Sequence, residues 1–308
     1  MSILIALIIL ALVFFAFLFV IFNMAFAVPK KGSDVSRQVP NTEQYLPIKE
    51  KMLSLVDELC AIESEPVYTT SFDGLKLYGR YYKQNTPDII EIEFHGYRSS
   101  AYRDYCGGSS INRQNKVSTI LVDQRGHGKS QGRAITFGIK ERYDVLSWVN
   151  YVNERFGKQT KIVLSGVSMG AATVLMASEL DLPENVVAIL ADCPYSSPKD
   201  IILKVCRDRG LNPKLMYPFI YLTARLFARI DLNASSAVKA VQKTNIPVLI
   251  IHGDDDRYVP YEMGVEIYNA CKSKKKMLTV KGAGHGICYF VDNKAYIDTV
   301  NEFINEII

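Results

Sequence analysis

The sequence predicts an α/β protein with a mostly parallel central sheet, helices on both of its faces and one apolar helix at the N-terminus. Short apolar runs alternate with helix-like segments from about residue 66 onward, and residues 3–22 form an unbroken apolar stretch. Parallel strands that are buried on both faces appear as continuous apolar runs, and the helices that connect them cover the sheet. In such sheets, functional sites form at the carboxyl ends of the strands.

The composition is that of a globular protein without a nucleic-acid partner. The chain has 308 residues, of which 48% are hydrophobic and 22% charged, and its 36 Lys and Arg against 32 Asp and Glu leave a net charge of +4. These values exclude a disordered or fibrous chain, and so small a net charge is no electrostatic footprint for nucleic acid. The six cysteines form no CxxC pair or zinc spacing, so we expect reduced thiols.

The apolar stretch, with its flanks, is predicted to be a single-pass transmembrane anchor over residues 1–28. A helix of its twenty residues reaches about 30 Å, the thickness of a bilayer's hydrocarbon core. No basic region precedes it, which argues against a signal peptide, but Ala-Phe-Ala at 25–27 resembles a cleavage site and keeps a cleaved signal peptide as the alternative. Lys30, Lys31 and Arg37 follow the stretch, which favours a cytoplasmic location for the rest of the chain.

Residues 29–60 are predicted to be a linker that ends in a short helix, and residues 61–308 to be the folded domain. Strands at 67–72 and 76–82 flank Asp-Gly, a turn dipeptide, and so predict a β-hairpin. Further strands are predicted from apolar runs at 89–94, 118–122, 161–164, 186–191, 246–251 and 277–280. Helices are predicted at 48–62, 143–156, 168–180, 262–271 and 294–307.

One interval, 192–245, is far longer than a usual crossover between two strands. It is helix-rich and contains the aromatic residues Tyr217, Phe219, Tyr221 and Phe227. We interpret this interval as a helical cap inserted over the strand ends, and we expect its aromatic residues to serve mainly in core packing.

Residues 166–170 read Gly-Val-Ser-Met-Gly and carry the strongest chemical signal. They lie between an apolar strand and an apolar helix, the setting of a nucleophile elbow, whose turn is so tight that the flanking residues must be small. Gly166, Gly170 and Ala171 meet that need. Ser168 would stand exposed at the helix N-terminus, where the helix dipole stabilises developing negative charge. We therefore predict Ser168 to be a nucleophile, with an ordinary Gly/Ser turn as the alternative.

A serine nucleophile needs a histidine base that an acid orients. Of the four histidines, His285 follows the last predicted strand within Gly-Ala-Gly-His-Gly, a flexible loop that would reach Ser168. His95, His127 and His252 each precede a glycine elsewhere in the chain. We predict His285 to be the base.

The acid is defined less narrowly by the sequence pattern. Asp254, Asp255 and Asp256 follow the strand predicted at 246–251, and by spacing alone any of them would serve. Asp192, at the end of the preceding strand, is a further alternative.

These motifs, in this order, resemble those of the α/β-hydrolase superfamily over the chain beyond about residue 60, and in particular small membrane-anchored bacterial serine hydrolases with a short helical cap. In relatives with the pattern H-G-x-x-D-x-x-V-P, matched here at 252–260, the aspartate is the acid of the triad, which implies Asp256. The family's G-x-G-H motif is matched at 282–285 and ends on the predicted base. Its D-x-R-G-x-G-x-S motif, a structural turn in relatives, is matched at 123–130.

An oxyanion hole needs two donors aimed at the place where negative charge develops. The first is the backbone N–H of Met169, directly after the nucleophile. The resemblance implies that the second is the N–H of Tyr97, in the family's H-G-x turn at 95–97. We expect His95 and His127 to order backbone rather than to transfer protons.

The sequence therefore predicts a serine hydrolase that cleaves carboxylic esters through an acyl-enzyme. The apolar cap and the anchor favour a lipid or lysophospholipid ester as the substrate. A peptidase of the prolyl-oligopeptidase-like branch and a non-catalytic membrane-bound scaffold are the alternatives. No HExxH, phosphate-binding loop, dinucleotide glycine signature or EF-hand spacing is present, so we expect neither a metal nor an organic cofactor.

Overall fold

A computed structural model describes residues 2–28, 35–84 and 88–308 of the chain. Lys30 and Lys31, which contribute to the predicted charge bias, lie outside the described residues, as does part of the predicted linker.

The described strands form one sheet of eight. They are β1 (Glu65–Thr70), β2 (Lys76–Tyr82), β3 (Ile89–Phe94), β4 (Ser118–Asp123), β5 (Lys161–Val167), β6 (Val186–Asp192), β7 (Val248–Gly253) and β8 (Lys275–Val280). Their order in the sheet is β1-β2-β4-β3-β5-β6-β7-β8. β2 runs antiparallel to β1 and β4, and all other neighbours are parallel. The predicted α/β fold with a mostly parallel sheet is confirmed.

The described helices connect and flank these strands. They are α1 (Ser2–Ala25), α2 (Lys49–Ala61), α3 (Ala101–Tyr105), α4 (Gly108–Gln114), α5 (Glu141–Phe156), α6 (Met169–Ala177), α7 (Pro198–Asp208), α8 (Pro213–Thr223), α9 (Ala237–Ala240), α10 (Tyr261–Ala270), α11 (Cys288–Val291) and α12 (Asn293–Asn305). A π-helical turn, Ala224–Ala228, follows α8.

Both faces of the sheet are covered, as the apolar runs predict. β4 and β7 are buried along their whole lengths. Ile162 and Leu164 of β5 face a core that contains the fully buried Trp148 of α5, whereas Val163 faces the opposite core with Phe303 of α12. Alternate residues of one strand thus enter two different hydrophobic cores.

α1 is long and apolar enough to cross a membrane over Ile3–Ala25. Most of its side chains are exposed, but its end is docked into the folded domain. Phe26, directly after α1, is 0% exposed, and its carbonyl accepts a hydrogen bond of 2.7 Å from the Ile135 N–H. Ala27 also forms an isolated β-bridge with Ala134.

The interval 192–245 contains α7, α8, the π-helical turn and α9, and its Phe219 and Phe227 pack against α1. The Phe219 ring lies edge-on to the ring of Phe17, with centroids 5.5 Å apart. The Phe227 ring contacts those of Phe15 and Phe19 at 5.1 and 5.8 Å. We refer to this inserted interval as the cap, although the partner that it covers most closely is α1.

Several predicted boundaries differ from the structure; for example, β7 lies two residues later than predicted. β1 lies two residues earlier than predicted, because the Ser71 hydroxyl accepts the Leu75 N–H at 2.8 Å and donates to Asp73 at 2.7 Å, which places Ser71 and Phe72 in the turn. α3 and α4 are not predicted from the sequence, because both are short and Gly107 and Gly108, where α4 begins, are poor helix formers.

Candidate active site

Ser168 occupies the sharp turn between β5 and α6. Its φ of 56° lies in the left-handed region, which is unusual for a residue with a side chain. A Cβ atom on Gly170 would lie 1.7 Å from the carbonyl oxygen of Phe94, and one on Gly166 would lie 2.3 Å from the backbone of Gly170. Both positions therefore require glycine, as the predicted elbow demands. Ser168 is only 7% exposed, so its hydroxyl opens onto a cavity rather than onto the surface.

The structure brings Ser168, His285 and Asp256 into one hydrogen-bonded row. His285 Nε2 lies 2.9 Å from Ser168 Oγ, and His285 Nδ1 lies 2.7 Å from Asp256 Oδ2. His285 is carried by the loop after β8, and Asp256 by the loop after β7. Because β5, β7 and β8 are parallel, their carboxyl ends meet at one edge of the sheet and bring these loops together.

Asp256 is held as a carboxylate. Its Oδ1 accepts the backbone N–H groups of Tyr258 and Val259, each at 2.8 Å, and its side chain is 0% exposed. Burial by itself raises the pKa of Asp256, but the charge of His285 and hydrogen bonds from His252 and His285 bring the pKa well below its usual range.

His285 is held as a ready base. Burial lowers the pKa of His285, but the charge of Asp256 and the hydrogen bond to it outweigh burial, so the pKa is raised. The hydroxyl of Tyr45 donates to the backbone carbonyl of His285 at 2.6 Å and so fixes the loop from the opposite side. The Tyr258 ring lies 5.1 Å from the imidazole.

The two amides predicted for the oxyanion hole lie on either side of Ser168. Met169 is the first residue of α6, so its N–H has no partner within the helix. The turn at 95–97 adjoins the nucleophile, since a Cβ atom on Gly96 would lie 3.4 Å from Ser168 Cβ. Among the described residues, neither the Met169 nor the Tyr97 N–H has a hydrogen-bond acceptor.

His95 and His127 bind backbone. His95 is fully buried, and its Nε2 accepts the Gln124 N–H at 3.1 Å. His127 Nε2 accepts the Arg98 N–H, also at 3.1 Å. Burial lowers the pKa of both imidazoles, to about 3 for His127, so both stay neutral. They hold the turn at 95–97 against the loop after β4.

Among the described residues, the other three aspartates form no hydrogen bond with the imidazole of His285. Asp192 accepts the Tyr296 hydroxyl at 3.3 Å, and burial raises its pKa to about 6. Asp254 accepts the Gly282 N–H at 2.6 Å and braces the loop that carries the histidine. Asp255 forms an ion pair with Arg257 at 3.3 Å.

A cavity of about 570 Å³ opens over Ser168. One wall is formed by residues 40–45 of the linker, here called the linker wall, and by Met52 of α2. The opposite side contains Tyr97, Tyr258 and His285. Among the residues that the structure describes, none that lines this cavity belongs to the cap. Ile201 of the cap packs instead in one core with Met169 and Val259, which follow the ends of β5 and β7.

The linker wall is the part of the site that the sequence does not predict. Besides the Tyr45 contact, the Gln44 side chain donates to the Asp255 carbonyl at 2.7 Å. These contacts join residues more than two hundred positions apart. Tyr45 is the single aromatic residue of an otherwise polar linker. This is the one feature of the sequence that indicates a buried side chain in the linker.

Cys193, Asp256 and His285 place potential metal-ligand atoms within 4.8 Å of one another. Asp256 and His285 already bind each other, and burial raises the pKa of the Cys193 thiol well above its usual value. A neutral thiol is a poor metal ligand, so this group suits hydrogen bonding better than metal binding.

The fold, with a serine at its strand-to-helix elbow, defines the class of the α/β hydrolases. The family model of the prolyl oligopeptidase family matches residues 125–308, which is more than half of the chain. The chain belongs to that family, and the resemblance to the α/β-hydrolase superfamily is confirmed.

Individual relatives are distant. The uncharacterized protein YqkD of Bacillus subtilis is 24% identical over 61% of this chain and 62% of its own length, so the match spans less than two thirds of that relative. The esterase Pf2001 of Pyrococcus furiosus is 22% identical, with a TM-score of 0.65 over 81% of this chain and 95% of its own. Est1E of Butyrivibrio proteoclasticus, solved with ferulic acid bound, is 24% identical, with a TM-score of 0.61 over 78% of this chain and 98% of its own. These structural likenesses support the fold.

Proposed function

We propose that the protein is a serine hydrolase that cleaves carboxylic esters, with Ser168 as nucleophile, His285 as base and Asp256 as the acid that orients it. The observation that carries this proposal is the continuous row of hydrogen bonds from Ser168 Oγ through the imidazole to Asp256, at 2.9 and 2.7 Å. A serine hydroxyl gains nucleophilic strength only from such a base.

The reaction follows from these positions. His285 Nε2 takes the proton of Ser168 as Oγ attacks the ester carbonyl, and Asp256 stabilises the imidazolium that forms. The Met169 and Tyr97 amides donate to the developing oxyanion. His285 then protonates the departing alkoxide, which leaves an acyl-enzyme. Water, deprotonated by the same imidazole, releases the acid and restores the serine.

An ester is favoured over an amide because an alkoxide departs more easily than an amine. The structural likeness to the esterase Pf2001 agrees with this choice. Membership of the prolyl oligopeptidase family keeps peptidase activity as the second candidate.

We also propose that α1 anchors the protein in a membrane and that the substrate is a lipid ester. The Phe26 contacts support retention of α1, because cleavage at the Ala-Phe-Ala sequence would separate α1 from the domain on which it packs. The Tyr97 hydroxyl donates to the Ala25 carbonyl at 2.9 Å, so the candidate oxyanion turn touches the end of α1. A substrate that leaves the bilayer beside α1 would arrive next to the cavity. We place the folded domain on the cytoplasmic side, following the basic residues after the span.

The test is to compare hydrolysis of p-nitrophenyl esters of increasing chain length with hydrolysis of aminoacyl amides by the purified full-length chain. We expect ester hydrolysis that Ser168→Ala abolishes and that Ser178→Ala, at the other end of α6, leaves intact. Preference for the amides would assign the protein as a peptidase. A folded protein that cleaves neither substrate and resists a fluorophosphonate would be a scaffold.

A further inference from the structure

A second cavity, of about 580 Å³, lies apart from the one over Ser168 and shares no lining residue with it. We call it the basic cleft. Among the described residues, its lining contains four cations and one acid: Arg125, Arg133, Lys140, Arg229 and Asp73. The proposed ester hydrolysis uses none of these residues.

Most of this positive charge is not neutralised within the protein. Arg125 is bound to Asp73 and Asp144, at 3.0 and 2.6 Å. Within the part of the chain that the structure describes, no side chain forms an ion pair with Arg133 or Arg229, and both are exposed. The Lys140 ammonium group donates to the backbone carbonyl of Ala228 at 3.2 Å, and this uncharged partner does not neutralise it.

The basic cleft lies beside the C-terminal end of α1. Ala134, in its lining, bridges Ala27, two residues after α1 ends. Phe227, also in its lining, packs on α1, with its ring 5.6 Å from that of Phe22. If α1 spans a bilayer, its end lies at the depth of the lipid headgroups, and so does the basic cleft.

We propose that the basic cleft binds a phosphate-bearing anion and that its source is the headgroup of an anionic membrane lipid. Arg guanidinium groups match the geometry of phosphate oxygens, and basic pockets beside membrane helices on the cytoplasmic side bind anionic headgroups. Phe227 offers the first acyl carbons an apolar contact beside α1. The lipid source rests on the proposed membrane span, whereas the phosphate chemistry does not.

The experiment is native mass spectrometry of the full-length chain in detergent micelles that contain phosphatidylglycerol and phosphatidylcholine. We expect the protein to retain phosphatidylglycerol in preference to phosphatidylcholine. The double variant Arg133→Gln/Arg229→Gln should weaken this retention by about 25-fold, at about fivefold for each cation removed. The matched control, Lys239→Gln/Lys272→Gln, removes two exposed lysines outside the cleft and should bind like the wild type.

Equal retention of both lipids, or a double variant that binds like the control, would overturn the proposal. If soluble glycerol 1-phosphate competed for the basic cleft as strongly as phosphatidylglycerol, the result would support a phosphate site. It would overturn the proposal that the phosphate comes from a lipid. Flotation with vesicles of pure phosphatidylcholine tests the membrane span separately. A chain that floats but shows no preference for phosphatidylglycerol keeps its span and loses this site.

Discussion

In the proposed mechanism, the protonation of His285 sets the conditions under which Ser168 reacts. Only the neutral imidazole accepts the serine proton, and Asp256 raises the pKa of that imidazole. The kcat/KM for an ester should therefore rise with pH and level off above a midpoint higher than the ordinary histidine value of about 6.5.

Replacing the acid should change both the rate and the pH profile. In Asp256→Asn the plateau of kcat/KM should fall by about 10⁴-fold, and the midpoint should move to lower pH because the carboxylate no longer stabilises the imidazolium. Asp298→Asn, at an exposed aspartate of α12, should change the plateau by no more than about twofold and leave the midpoint where it is. An unmoved midpoint in Asp256→Asn would contradict the assignment of the acid.

Tyr45 should act as a positioning residue for the imidazole. Tyr45→Phe removes the 2.6 Å hydrogen bond to the His285 carbonyl, a loss of about 1 kcal/mol that corresponds to about a fivefold fall in kcat. Tyr289→Phe removes a comparable hydroxyl contact, to Ser110 at 3.0 Å, and should leave kcat unchanged. An unchanged pH midpoint in both variants would show that the pair of His285 and Asp256 stays intact, which distinguishes positioning from general destabilisation. Equal kcat values in both variants would contradict this role.

The sequence reveals these residues to very different degrees. Ser168 could be predicted because a local pattern of small residues dictates the elbow, and His285 because few histidines compete. Asp256 could be chosen among three neighbouring aspartates only through the family resemblance. Tyr45 could not be predicted, since its contact joins residues 240 positions apart and no periodicity reports such a contact.

Among the elements, β3 carries two buried carboxyl groups. Burial raises the pKa of Glu91 to about 7 and that of Glu93 well above its usual value, and the charge of Glu91 raises the pKa of Glu93 further. Groups whose pKa is raised in the folded state stabilise it below the unfolded value of about 4.3, and this stability is lost as the pH rises through the folded pKa. The free energy of unfolding should therefore fall between about pH 5 and pH 8.

Glu93→Gln should reduce the fall in the free energy of unfolding, because the amide resembles the protonated acid. It also keeps the contact with Asn112, whose side-chain amide donates to Glu93 Oε1 at 3.0 Å in the wild type. The measurement is the urea midpoint at pH 5 and at pH 8. Glu154→Gln, on the exposed side of α5, should keep the wild-type pH dependence. If the urea midpoint of Glu93→Gln fell with pH as steeply as that of the wild type, β3 would not contribute to the pH dependence of stability.

The helical elements illustrate what patterning cannot show. An apolar periodicity predicts that a helix buries one face, but it does not say against which partner. The sequence does not indicate that Phe219 and Phe227 of the cap lie against α1. The strands are more predictable, because short continuous apolar runs bounded by turn residues are typical of a sheet that is covered on both faces.

In the molecule as a whole, α1 is part of the folded assembly. It contacts the cap, the turn at 95–97 and the loop after β4. The protein from cells should therefore keep its N-terminus, stay with membranes through carbonate extraction and show the mass of the uncleaved chain. A mature N-terminus at Val28 would instead identify a cleaved signal peptide.

The Phe26 contact should be essential to this assembly. Phe26→Ala should lower the free energy of unfolding by about 3–5 kcal/mol, since the side chain is fully buried. Phe72→Ala, at an exposed turn far along the chain, should cost less than about 1 kcal/mol. Thermal unfolding in detergent would measure both, and equal effects would show that α1 is not docked.

The covalent step on Ser168 can be observed by reacting the full-length chain with a fluorophosphonate, digesting it and locating the adduct by mass spectrometry. We expect one modified peptide, with the added mass on Ser168. The adduct should be absent in Ser168→Ala, and it should form much more slowly in His285→Ala. A folded wild-type protein with no adduct, or with the adduct on another serine, would contradict the proposed mechanism.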